Sequence, residues 1–320
     1  MTNDREFLYQ LAVMYYNERL TQQEISQRLG ISRPQVSRAL SKAEQEGIVR
    51  VQILRPASEK HDLESRLAKL LGLRRVFIAS QMMKNGSERE RRSQDIAIAA
   101  ANILPEIFSG KKFVGIGWGD TIYRTALEID YSETASETCY VPLIGSLGMR
   151  ERRYQVNSIV DRFAEKMKGQ VMYFNGPAFA IDAQIREKTV NQEPFSSLVE
   201  AWQNLDVAVI GLGVTADVPG FPVNEFKPEH VEKLKVSKAI GDILGQFFDR
   251  FGNRCESGAE KEYQGVKIED LSSVSQVICL CGGTAKVPGI IAAAQKKYFN
   301  HLITDERTAV ELTHILEGTV

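Results

Sequence analysis

The 320-residue sequence predicts an α/β protein: an N-terminal winged helix-turn-helix followed by a mostly parallel-sheet α/β body. Three observations carry this. Two short amphipathic helices between Thr21 and Ala43 meet at Gly30. From Val76 onward, short apolar runs recur, several of them ending in glycine-containing loops. Helical stretches alternate with those runs, the pattern of parallel strands covered on both faces.

In chain order, Asp4–Asn17 reads as an amphipathic helix with Phe7, Leu8, Leu11, Ala12 and Tyr15 on one stripe. Thr21 can cap the next helix, and Glu24 three residues on completes a capping box. Ile25 and Leu29 share a face. Gly30 permits the sharp turn, and Ser32 caps a second helix that tolerates Pro34 in its first turn. Val36, Ala39, Leu40 and Ala43 form its inward stripe. Gly47 ends it, and Ile48, Val49, Val51 and Ile53 suggest a wing strand.

Arg55-Pro56-Ala57-Ser58 marks a linker, and His61–Leu71 a helix with Leu63, Leu67, Leu70 and Leu71 in line. That stripe either pairs with a second copy or docks on the body. The organisation is therefore a head over 1–54, a linker and connecting helix over 55–73, and a body over 74–320. In the body, strands are expected at Val76–Ala79, Lys111–Gly119, Cys139–Ser146, Val171–Phe174, Asp206–Gly213 and Gln276–Gly283. Helices are expected at Arg89–Ile107, Thr121–Leu127 and Val156–Met167. Ligands of such sheets bind at the carboxyl ends of the strands, which makes these loops the candidate site.

Composition narrows the function. The formal net charge is −1, too low for a protein that merely coats nucleic acid but compatible with a small basic head on a neutral body. The polar, acidic start is unlike a signal peptide, and no apolar run approaches a membrane span, so a cytoplasmic protein without membrane contact is expected. The cysteines, Cys139, Cys255, Cys279 and Cys281, lack the spacing of a zinc site. Cys279 and Cys281 share one face of a strand and read as small buried hydrophobes.

The second helix of the head presents Arg33, Gln35, Ser37, Arg38, Ser41 and Lys42 on its outer side, and no acidic residue lies between Ile25 and Ala43. Arginine reads guanine, glutamine reads adenine, and serine or lysine holds phosphate. Together with Thr21, Gln22 and Ser32, these are the candidate contacts to double-stranded DNA.

In the body, Gly115–Thr121 (GIGWGDT) has glycines that either let backbone N–H groups converge ahead of a helix, a cradle for an anion, or serve packing and turns. It is neither a Walker loop nor a dinucleotide fingerprint. Gly282–Lys286 forms a second such loop with a lysine in reach of phosphate or carboxylate. Asp242, in an apolar, glycine-flanked context, either accepts hydrogen bonds from vicinal hydroxyls or caps a helix over Ile243–Phe248. Asn175 is a further polar candidate near the loops, and Gln155 and Asn157 either add polar contacts there or are surface residues at the start of a helix. No nucleophile elbow, HExxH or histidine cluster is present, so catalytic residues and cofactors are not expected. A sugar-phosphate isomerase or deaminase carrying a DNA-binding head is the alternative.

The chain resembles the SorC family of bacterial sugar-responsive transcriptional regulators. The head matches in LTQQEISQRLGISRPQVSRAL and GIVRVQI. The body matches in VGIGWGDT, VPLIGSLG, DVAVIGLG, AIGDILGQFFD, GGTAKVPGI and LITDERTA. The resemblance implies a body similar to ribose-5-phosphate isomerase that binds a sugar or phosphosugar without turnover. It also implies a homotetramer, a dimer of dimers, on operator DNA. By position, Gly117, Trp118, Gly119, Asp120 and Thr121, with Gly145 and Ser146, would hold phosphate or sugar oxygens. Gln155 would lie near the ligand, Asp242 would take sugar hydroxyls, and Lys286 would meet a phosphate or anomeric oxygen. Some relatives carry Glu in place of Asp242. The second loop lacks the Arg that helps hold a second phosphate in a bisphosphate-binding relative, which favours a monophosphate or free sugar.

Overall fold

A computed structural model describes residues 2–46, 48–49, 57–83, 85–147, 155–190, 192–193, 195–214 and 227–318. The chain divides into two compact units, residues 1–54 with 82–87, and residues 55–81 with 88–320.

The first unit is helical. It contains α1 (Thr2–Ala12), a π-type turn over Val13–Asn17, α2 (Gln22–Leu29) and α3 (Arg33–Gln45). Leu8, Leu11 and Ala12 of α1 are buried, as are Ile25 of α2 and Val36, Leu40 and Ala43 of α3. Phe7, expected inside, is 38% exposed, because the buried stripe runs through Leu8, Leu11 and Ala12 and leaves Phe7 at its edge. Ile48 and Val49 pack on the Ala43 cluster. The rest of the expected wing, with Gly47, Val51 and Ile53, lies outside the described residues, as does the Arg55-Pro56 linker pair.

The second unit opens with α4 (Ala57–Leu71), which buries Leu67 and Leu71 in the core of the body; the leucine stripe docks there. Seven parallel strands follow: β1 (Arg75–Ala79), β2 (Phe113–Ile116), β3 (Cys139–Pro142), β4 (Gln170–Val171), β5 (Val207–Gly211), β8 (Gln276–Leu280) and β9 (His301–Asp305). Their spatial order is β1-β9-β8-β5-β2-β3-β4. The intervening β6 (Gly241–Ile243) and β7 (Gln246–Phe248) form a separate antiparallel hairpin.

Side chains alternate across the sheet into two cores. On β5, Val207 and Val209 enter one core while Ala208 and Ile210 enter the other. The first is covered by α5 (Glu88–Phe108), α6 (Asp120–Glu128) and α7 (Val156–Met167). The second is covered by α4, α9 (Phe195–Gln203), α11 (Val287–Gln295) and α12 (Glu306–Glu317). Each fully buried Val, Ile or Leu contributes roughly 1.5–3 kcal/mol. The remaining helices are α8 (Ala183–Val190) and α10 (Pro228–Val236).

Two expectations are corrected. The fourth strand covers Gln170–Val171, not Val171–Phe174, because the Asn157 side chain bonds both the N–H and the carbonyl of Phe174 and takes them from the ladder. Residues 243–248 form no helix. Leu244 and Gly245 both have positive φ (52° and 72°), the signature of a tight two-residue hairpin turn. Among the described residues, no helix is long and apolar enough to cross a membrane.

Candidate functional site

The head builds a reading helix from local chemistry. Glu24 accepts from the Thr21 N–H at 2.8 Å, and Thr21 Oγ1 accepts from the Glu24 N–H at 3.3 Å. The backbone bond from Thr21 holds the Glu24 carboxyl below its usual range. Gly30 closes α2 at φ 65°, and Ser26 Oγ donates to the Ile31 carbonyl at 2.6 Å across the turn. Arg33, Ser37, Arg38, Ser41 and Lys42 are all exposed on α3. Lys42 lies 3.7 Å from Glu46, and Arg38 Nε donates to the Pro34 carbonyl at 3.3 Å. Gln22 is half-buried.

Gln35 stands differently from the reading role expected of it. Its Oε1 accepts from both the Ser32 N–H (2.7 Å) and the Ser32 hydroxyl (2.8 Å). Bidentate recognition of adenine needs that acceptor as well as the amide N–H₂. Gln35 and Ser32 therefore serve first as a cap on α3.

In the body, the chain passes from β2 to β3 and β4 on one side and then returns to place β5 on the other side of β2. Strand order reverses there, and a crevice opens at the carboxyl ends of β2 and β5. Gly117–Gly119 follows β2, and Leu212–Gly213 follows β5. The hairpin closes over both. A Cβ on Gly117 would lie 2.9 Å from Leu244 Cδ2, and one on Gly213 only 1.9 Å from Asp242 Oδ1. A side chain at either position would push the hairpin's own side chain aside, so glycine permits this close approach. A Cβ on Gly245 would lie 3.5 Å from Trp118 and 3.9 Å from Ile144, so the half-buried Trp118 flanks the hairpin turn.

Asp242 is half-buried, and its Oδ2 accepts from the Gly245 N–H at 3.2 Å. Burial pushes its carboxyl up to about 6, against the downward pull of that N–H and of Lys286. Lys286 reaches in from the loop after β8 and donates to the Leu212 carbonyl at 2.6 Å. A carboxylate and an ammonium thus face the same crevice. Cys279 and Cys281 are buried free thiols in the core beneath, Cys281 within 3.9 Å of the Leu212 carbonyl.

The glycine loops differ in what they offer. Gly117 N–H is taken by the Val209 carbonyl at 2.9 Å, but Gly119 (φ 126°), at the N-cap of α6, supplies no side-chain cap. The first-turn N–H groups of α6 are the donors this loop offers. Asp120 is paired with Arg124 at 2.9 Å, and Arg124 also donates to Gln94. The Thr121 carbonyl accepts from Thr125. In the second loop, Gly145 and Ser146 spend their N–H groups on the Gln264 and Gly176 carbonyls, both at 2.9 Å. Gly145 and Ser146 therefore keep no backbone N–H for an anion, and what they offer is the half-buried Ser146 hydroxyl. In the third, Gly283 N–H donates to Asp305 and Thr308, and Lys286 is the charged group of this loop.

Gln155 precedes α7 and donates to the Leu147 carbonyl at 3.3 Å, while Asn175 is exposed and bonded to Asn157. The structure thus brings Gly117, Trp118, Asp242 and Lys286 together with Leu212, Gly213 and Leu244, which sequence reasoning did not single out. No local signal marks Leu244. A glycine ending the β5 run was the available signal for Gly213.

Comparison with known proteins agrees with this build. Residues 55–314 match the family described as "Putative sugar-binding domain", and residues 11–50 match a winged helix-turn-helix DNA-binding family. The chain is 26% identical to the sorbitol operon regulator of Klebsiella pneumoniae over 96% of its own length and 98% of that protein. It is 28% identical to the deoxyribonucleoside regulator of Bacillus subtilis, over 95% of this chain and 96% of that one. The crystal structure of the full-length Klebsiella regulator superposes with a TM-score of 0.77, covering 96% of this chain and 98% of the other at 26% identity. The chain belongs to the SorC family of sugar-binding transcriptional regulators, with a helix-turn-helix head and an α/β sugar-binding body.

Proposed function

We propose that the body binds a sugar or a sugar monophosphate in the crevice between β2 and β5, and that occupancy controls the grip of the head on operator DNA. The observation that carries this is the pair facing the crevice, Asp242 over Gly213 and Lys286 on Leu212. Asp242 accepts from ligand hydroxyls, Lys286 meets an anionic or anomeric oxygen, and the uncapped start of α6 takes the phosphate. Arg33 and Arg38 read bases, with Ser37 and Lys42 on phosphates. The relatives are named as regulators of sorbitol and deoxyribonucleoside operons, which supports a carbohydrate-derived effector. The working protein is a cytoplasmic homotetramer, a dimer of dimers on repeated half-sites, and needs no cofactor. Effector shifts the equilibrium by its differential affinity for two states, about 1–3 kcal/mol.

The test is a thermal-shift screen of sugars and sugar phosphates on wild type, Asp242→Asn and Lys286→Ala, followed by operator binding with any hit. A phosphosugar that stabilises wild type alone and changes operator affinity supports the reading. A panel-wide absence of stabilisation, or a hit that both variants bind like wild type, overturns it. One observation favours a second reading: a carboxyl held near 6 is suited to proton transfer. Turnover of the effector by wild type and not by Asp242→Asn would make the body an isomerase-like enzyme.

A further inference from the structure

Beside the effector hairpin lies a second, small cavity with about 40 Å³ of free interior, room for a few waters or one compact anion. It shares only Gly245 with the crevice residues named above. The return strand of the hairpin, Gln246 and Phe247, forms one wall, and Phe179 and Tyr263 give it aromatic surface. Its charged lining is unbalanced. Arg186, Arg254 and Lys267 face a single carboxylate, Glu260.

That carboxylate is committed elsewhere. Glu260 accepts from the Ser257 N–H at 2.6 Å, the Ser257 hydroxyl at 2.9 Å and the Gly258 N–H at 3.0 Å. The backbone bonds to it outweigh burial and hold it below its usual range, so it stays ionised while tied to its own loop. The cations are less satisfied. Arg186 donates through Nε to the Tyr263 carbonyl at 2.7 Å, which fixes the guanidinium and leaves its terminal nitrogens without a partner among the described residues. Arg254 Nε stands 3.6 Å from the exposed Glu269, too long for a hydrogen bond. Lys267 makes no side-chain hydrogen bond or ion pair among the described residues and, with Arg254, is solvent-exposed. Two forked guanidiniums and an ammonium around one concavity suit a compact oxyanion, which accepts several charge-assisted hydrogen bonds at once.

We propose that this cavity is a second small-molecule site, separate from the effector crevice, that takes a phosphate-like oxyanion through Arg186, Arg254 and Lys267. It does not rest on the sugar reading, because none of its charged residues belongs to the crevice. A failed sugar screen leaves it standing.

The experiment titrates inorganic phosphate into the full-length protein at constant ionic strength and follows the melting temperature. Wild type should rise by about 2 °C at a phosphate concentration ten times its Kd. The double variant Arg254→Gln/Lys267→Gln, which alters only exposed side chains, should lose the rise. Lys286→Gln should keep it. Arg186 is left in place because its Nε holds the Tyr263 carbonyl. No rise in wild type overturns the proposal. So does a rise that survives in the double variant, or one that disappears in Lys286→Gln, which would place the anion in the effector crevice.

Discussion

Replacing Asp242 with Asn should make the effector-free protein more stable while removing its response to sugar. Burial raises the Asp242 carboxyl from its ordinary 3.8 to about 6. The native state therefore keeps a proton that the unfolded chain releases between about pH 4 and pH 6. For an acid with a raised folded value, its stabilising contribution is fully present below pH 4, falls through that window and is lost above it. A shift of this size corresponds to about 3 kcal/mol of native-state destabilisation at pH 7.5 and about 2 kcal/mol at pH 5. Asparagine keeps the shape, carries no charge, and still accepts the Gly245 N–H that now bonds Oδ2 at 3.2 Å. Asp242→Asn should thus exceed wild type by roughly those amounts, with the larger gain at the higher pH. Urea unfolding of both proteins at pH 5.0 and 7.5 measures it. A variant less stable than wild type at pH 7.5, or a gain independent of pH, would refute the idea that the carboxylate is held against its own desolvation for a ligand.

Other predictions concern the head and the glycine contact. Arg33→Ala and Arg38→Ala should each weaken operator binding by roughly 1–3 kcal/mol per half-site at fixed salt, measured by fluorescence anisotropy. Wild-type affinity in both would remove α3 as the reading element. Gln35→Ala should lower the stability of the head by about 1 kcal/mol through loss of the Ser32 cap, with base preference unchanged in a binding-site selection. A changed preference at one adenine would instead show that Gln35 leaves its cap to read DNA. Gly213→Ala places a Cβ 1.9 Å from Asp242 Oδ1, where real contacts stay beyond 3.0 Å. It should cost about 1–3 kcal/mol in unfolding free energy and abolish sugar-induced stabilisation. A folded variant with full sugar response would place the ligand away from Asp242.

The head was legible because its determinants are local. Thr21 and Glu24 lie three residues apart, Gly30 supplies its own positive φ, and Val36, Leu40 and Ala43 repeat at helical spacing. Most sheet strands were legible for a related reason: a parallel strand covered on both faces is a continuous apolar run. β9 escaped because His301–Asp305 begins with histidine, ends with aspartate and follows the polar Lys296-Lys297 pair. The hairpin escaped because its turn uses Leu244 in the left-handed region, where glycine or asparagine would normally announce the turn.

A leucine in that conformation is strained, and such strain persists where the surroundings fix it. Here the Leu244 side chain fills the space over Gly117, while the turn behind it presents the Gly245 N–H to Asp242. The same nonlocal logic decides which glycine loops can bind an anion. Gly145 looks as open as Gly119 in the sequence, but carbonyls from Gln264 and Gly176, far along the chain, consume the N–H groups of Gly145 and Ser146. Glycine content marks where backbone can approach a ligand. Whether the N–H groups there remain available depends on which distant carbonyls the fold delivers to them, so the start of α6, and not the Gly145–Ser146 loop, is the place where a phosphate contact should be sought.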